Sequence, residues 1–130
     1  MRPRYADLFR ALKDPDPTRV DAAYDALLFD RADAIPELAE AYKTFKRDAE
    51  LRFYAVQLLA FSEDSRAVPY VMEALSDPDP SVRAEACRAV EDLMVREAVP
   101  ALRARTEDLD ASVREAAREA LDALTGAADD

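Results

Sequence analysis

The stretch DPDPSVRAEACRAVEDL at residues 77–93, followed by AVPALRA at residues 98–104, decides how this chain folds. Val82, Ala86, Val90 and Leu93 recur at steps of four, four and three, which is one face of an α-helix. Asp79 and Pro80 stand just ahead of that face. An aspartate there accepts the orphan N–H groups of the first turn, and a proline at the first helical position gives up no hydrogen bond. Pro100 opens a second helix in the same manner. The stretch therefore reads as helix, short turn, helix.

It has an echo. LKDPDPTRV at residues 12–20 matches LSDPDPSVR at residues 75–83. A register of 31 residues links Val20, Leu51, Val82 and Val113. Asp48, Asp79 and Asp110 keep that spacing, as do Arg52, Arg83 and Arg114, and Ala55, Ala86 and Ala117. The first copy departs from the pattern with Asp21 and Tyr24. Pro36, Pro69 and Pro100 open the second helix of each unit, and KTFKRD at 43–48 makes the first unit's exit the longest. The division expected is a capping helix at 4–13, repeats at 14–46, 47–76 and 77–106, a capping half-repeat at 107–125, and a short tail at 126–130. No unit buries its apolar stripe alone, so neighbours supply the core and about eight helices stack in one domain. Asp16, Asp48, Asp79 and Asp110 are expected as helix caps and, with Arg52, Arg83 and Arg114, as a structural ladder.

These residues carry a resemblance. DPDPSVRAEACRAVEDL, AVPALRA and the partial copy SVREAAREALDAL at 112–124 resemble HEAT-like repeats of the short bacterial and archaeal type, as in phycobilisome lyases. The resemblance implies an all-α, right-handed α-α superhelix with aspartates and arginines bonding within and between units. It implies protein–protein binding as the ordinary activity, as adaptor, scaffold or regulatory subunit. The family often has glycine after the first helix, where this chain has Ala60, Phe61 or Leu93.

Composition excludes several classes of function. With 15 Arg and 3 Lys the net charge is still -10, so a phosphate backbone is repelled and no nucleic-acid partner is expected. The absence of histidine removes the commonest general base and nitrogen ligand. A single glycine allows no phosphate-cradling loop. A calcium loop needs more oxygen ligands than Asp-Pro-Asp-Pro supplies, and a glycine at its turn. The expectation is a non-enzyme with no catalytic residue, cofactor or metal. The lone Cys87 suits a core position and a reducing cytoplasm. No leader or membrane span is apparent.

Binding surfaces are the remaining search. Aligned at 31 residues, Phe53 falls opposite Glu115 and Tyr54 opposite Glu85, positions expected to face solvent. Phe61 aligns with Asp92, and Phe29 with Glu91. Phe53, Tyr54 and Phe61 thus form a candidate aromatic patch, unless Phe45 folds back over it. On the second-type helices Glu37, Glu40, Tyr70 and Glu73 form a candidate acidic groove for a basic segment of a partner protein. Two alternatives stand beside this reading: a bilin lyase-type subunit, by resemblance, and an acidic neutraliser of a basic toxin or nuclease.

Overall fold

A computed structural model of the chain describes residues 1–126, and the regular structure among them is entirely helical. The first-type helices are α2 (Pro17–Phe29), α4 (Ala49–Phe61), α6 (Pro80–Asp92) and α8 (Ala111–Thr125). The second-type helices are α1 (Pro3–Ala11), α3 (Ile35–Thr44), α5 (Val68–Ala74) and α7 (Val99–Arg105). A single turn of 3₁₀-helix precedes α5 and another precedes α7. Prolines occupy the first turn of six of these helices, where the missing N–H has no partner to lose.

Each first-type helix starts at an aspartate whose side chain accepts backbone N–H groups. Asp16 accepts from Thr18, Asp48 from Leu51, Asp79 from Ser81, and Asp110 from Ser112 and Val113. Those caps are spaced by 32, 31 and 31 residues, so the first unit is one residue out of the register that Val20 suggests. In the corrected register Ala23, not Tyr24, stands in the place of Ala55, Ala86 and Ala117. All four alanines are buried.

One continuous core runs through the stack, from Tyr5, Phe9 and Leu12 at one end to Leu124 at the other. Helix α6 packs extensively on α4 and on α8, whereas α2 meets α4 only sparsely. Side-chain size explains the difference. Ala84, Ala86, Ala89, Ala116, Ala117 and Ala120 are all buried and let helix axes approach closely. Between α2 and α4 stand Tyr24 and Tyr54, ring centroids 5.7 Å apart, with the Tyr24 hydroxyl donating to Gln57. Two aromatic rings hold apart what alanine would bring together.

The turns after α4 and α6 place Glu63 and Met94 at φ 54° and 55°. These, and not Ala60, Phe61 or Leu93, are the positions where glycine would sit, because only here does the backbone enter the left-handed region. A Cβ there costs about 1 kcal/mol or more, while glycine loosens the unfolded chain by about 0.5–1 kcal/mol. At Gly126 the same conformation ends α8 without that penalty, φ being 69°. Replacing both strained residues, Glu63→Gly with Met94→Gly, is expected to raise the urea midpoint by a net gain of about 0.5–1 kcal/mol. A lower midpoint would show that these turns hold no strain.

Candidate interaction surfaces

The acids of the Asp-Pro-Asp-Pro turn divide their labour. The second aspartate of each turn caps a helix, as above, and does not bridge units. The first reaches the arginine of the preceding unit. Arg52 donates through Nε and Nη2 to Asp77 at 2.9 and 3.0 Å, and Arg83 does the same to Asp108 at 2.9 and 3.0 Å. The remaining arginine nitrogen, Nη1, binds two carbonyls of its own turn: Phe45 and Lys46 for Arg52, Asp77 and Pro78 for Arg83, Asp108 and Leu109 for Arg114. The ladder expected for Asp79 and Asp110 is thus carried by Asp77 and Asp108, whereas Asp48 does bridge units, through the Lys13 ammonium at 3.3 Å. The oxygens of Asp79 and Asp110 are taken up by the first turn, and a residue two places earlier projects across the boundary.

Asp77 is buried and fully bonded, accepting also from the Tyr42 hydroxyl at 3.0 Å and from the Asp79 N–H at 2.9 Å. Asp108 accepts from Arg105 and from the Asp110 N–H, and the Arg83 fork holds its carboxyl below the usual range. The first unit lacks the pair. Val20 occupies the arginine place, and Lys46 the acid place that would have met it. Both partners change together, so no charge is stranded.

The aromatic residues separate. Phe53 and Tyr54 are half-buried and packed on the core, Phe53 beside Pro80 and Ala84 of α6, and Tyr54 against Tyr24. Their expected exposure fails because Glu85 is itself buried, and because Glu115 lies on a helix that no later described helix covers. Phe45 does not cover them. It packs on Phe9, ring centroids 5.9 Å apart. Phe61 remains 42% exposed, Phe29 is 87% exposed, and Met94 is 58% exposed. Phe29 and Phe61 end α2 and α4, and Met94 follows the end of α6, so the three mark the same end of consecutive first-type helices. Beside Phe61 opens a groove of about 560 Å³ lined by Leu28, Arg31, Ala60, Glu63 and Asp92. Arg31 spans it, donating to the Phe61 carbonyl at 2.7 Å. Burial raises the carboxyls of Glu91 and Asp92, and Asp92 raises Glu91 further.

The acidic groove does not form as expected. Glu37 is buried, held by the Nε and Nη2 of Arg2 at 2.9 and 2.7 Å and by the Arg2 backbone N–H at 3.0 Å. That fork pushes its carboxyl down to about 2. Glu40 pairs with the Met1 amino group at 3.2 Å. Tyr70 lies under Lys43, whose Nζ is 5.9 Å from the ring centroid. Glu73 stays exposed, beside a cavity of about 420 Å³ that Lys43 and Lys46 also line. Residues 1 and 2, outside the repeat pattern, supply the cations that sequence periodicity cannot reveal.

Little points to covalent chemistry. Cys87 is buried, which pushes its thiol up to about 11 and keeps it from acting as a nucleophile. Among the described residues no three ligating side chains converge on one point, and no helix is long and apolar enough to cross a membrane.

The repeated caps, the ladder and the paired helices have a counterpart among known families. Residues 35–122 match the model of HEAT repeats. The chain belongs to the HEAT-repeat family. Two solved structures are similar to this HEAT-repeat chain in fold. One is an engineered protein of the Northeast Structural Genomics Consortium, with a TM-score of 0.60 and 20% identity over 94% of this chain and 62% of that one. The other is the complex of CpcE and CpcF of phycocyanin lyase from Nostoc sp. PCC7120, with a TM-score of 0.55 and 19% identity over 94% of this chain and 65% of that one. The chain spans less than two thirds of either neighbour. No curated protein matches it by sequence.

The ladder makes a graded prediction. Arg52→Ala leaves the buried Asp77 carboxylate without its fork and is expected to cost about 3–5 kcal/mol. Arg114→Ala removes bonds to two carbonyls alone and is expected to cost about 1–2 kcal/mol. Equal losses in urea denaturation would contradict the difference assigned to the two arginines. Glu37 predicts a pH dependence. Its folded pKa lies below the unfolded value, so its contribution is complete above the ordinary glutamate pKa of about 4.3 and is lost as pH falls through the folded value. The stability gap between wild type and Glu37→Gln should therefore be constant near neutrality and close between about pH 4 and 2. A gap that persists at pH 2 would refute the Arg2 fork.

Proposed function

We propose that the chain is a non-enzymatic protein-interaction module that engages its partner along the row Phe29, Phe61 and Met94. The observation that carries this reading is the repetition of exposed apolar side chains at one end of three consecutive first-type helices. A lone exposed leucine or phenylalanine is ordinary on a protein surface, whereas a row of them beside a groove is a feature of binding sites. Phe29, 87% exposed, contributes about 1.5–3 kcal/mol when a partner removes it from water, and Phe61, 42% exposed, about half of that. HEAT repeats generally serve protein interaction, and the family supports the same class of function.

The groove's chemistry suggests what docks there. An apolar side chain fits beside Leu28 and Phe61, and a flanking lysine or arginine relieves the crowded carboxyls of Glu91 and Asp92. A net charge of -10 steers such a basic segment toward the surface. The partner is therefore a protein segment with an apolar anchor and basic neighbours. Glu37 and Glu40, engaged within the chain, leave the second-type helices a weaker candidate.

The test is quantitative capture of cellular proteins on wild-type chain and on Phe61→Asp with Met94→Ser. Both side chains are exposed, so helicity and melting temperature should not change. A partner bound by wild type should fall at least about tenfold on the double variant. Undiminished capture of every partner would overturn the assignment of this surface.

A further inference from the structure

A second surface lies at the ends of the stack and shares with that row only Phe29, which follows Ala22 and Ala26 on α2. Each internal ladder pair joins an arginine four residues after a capping aspartate to an acid two residues before the next one. Arg114 stands in the arginine place of the last unit. Its Nη1 binds the Asp108 and Leu109 carbonyls at 2.7 and 3.1 Å, as in the other units. Its Nε and Nη2, which in Arg52 and Arg83 grip an aspartate, have no partner among the described residues. Asp14 stands in the acid place of the first unit. Its Oδ1 accepts the Asp16 N–H at 2.8 Å, the same bond that orients Asp77 and Asp108. Among the described residues no ladder arginine reaches it, and only Arg19 approaches, at 3.7 Å. Each end thus holds one half of a bond that the interior makes twice.

The helix faces agree with the ladder. Ala22 and Ala26 hold in α2 the places that Ala116 and Ala120 hold in α8. In α8 those alanines are buried, on a helix packed closely against α6, whereas Ala22 is exposed and Ala26 half-buried. The opposing face of α8 carries Glu115, Arg118, Glu119 and Asp122, all exposed, where α6 has the buried Ala84 and Cys87. Arg19 is the one charge on the α2 stripe and meets a face of net negative charge. Leu109, 98% exposed, lies on the turn that Arg114 holds.

We infer that copies of this chain associate head to tail, the open Arg114 fork of one taking the Asp14 carboxylate of the next, with α2 laid on α8 as one more repeat. The contact is heterologous, so it propagates to an open series of lengths and not to a closed dimer. It is largely polar, hence weak and salt-sensitive.

Sedimentation velocity of the full chain tests this. Mean mass should rise continuously between about 10 μM and 1 mM at low salt, and fall back to monomer at about 0.5 M salt. Arg114→Asp alone and Asp14→Arg alone should each weaken association at least about tenfold by opposing like charges. Their equimolar mixture should regain it, because each reversed end then meets an opposite charge. Ala22→Glu, at an exposed position without a structural contact, should also block association and decides the matter if either charge variant misfolds. A wild type that stays monomeric, variants that associate undiminished, or a mixture no better than its components would overturn the proposal.

Discussion

The reach of an arginine fork across a unit boundary sets the geometry on which the rest of this structure depends. Arg52 and Arg83 each hold two carbonyls behind them and one carboxylate ahead. One side chain therefore ties the turn before its own helix to the turn before the next. A buried ion pair of this kind contributes little net stability against a well-packed apolar alternative, since desolvation offsets most of the attraction. What it contributes is register. Alanine faces such as those of α6 and α8 are smooth and slide easily, and a bidentate bond with fixed directions removes the alternatives. The close packing of α6 on both neighbours and the polar bridge beside it are two parts of one device.

Where the device is missing, the packing changes in a connected way. Val20 and Lys46 replace the pair between the first and second units. At that same boundary Tyr24 and Tyr54 fill the space between α2 and α4, and the helices meet sparsely. The groove beside Leu28 and Phe61 follows from that separation, and Arg31 bridges it with a hydrogen bond to a backbone carbonyl. A local swap of an ion pair for two aromatic rings has thus opened a concavity several residues away.

Much of this was legible in the amino acids. Asp79 with Pro80 announces a helix start because capping is local physics, decided by residues within one turn of each other. The period, the helix pairing and the half-repeats at the two ends follow from recurring caps and apolar faces. The candidate surfaces were less legible, for two physical reasons. Repeat alignment treats every unit as equivalent, yet Glu115 on the last described helix faces water because no described helix covers it, while Ala84 in the matching place is buried. An end unit is no control for an interior one. The ladder acids escape the alignment for a related reason: Lys46 interrupts the column that Asp77 and Asp108 otherwise make visible. The burial of Glu37 is invisible to the alignment because Arg2, its partner, precedes the first unit and belongs to no column at all.

Departures from the repeat also separate structure from function. Most of them come in compensating pairs within the chain. Val20 is matched by Lys46, Tyr24 by Tyr54 and Gln57, and the buried Glu37 at the start of α3 by Arg2. Each member removes a problem the other creates, which is what the consistency of a folded chain requires. Phe61 has no such counterpart. Its ring stands at a place where α6 carries Asp92, remains 42% exposed, and relieves no strain or stranded charge nearby. An apolar group that its own chain leaves in water raises the free energy of the isolated molecule and lowers that of a complex covering it. The unpaired departure is therefore what the proposed contact with a partner rests on.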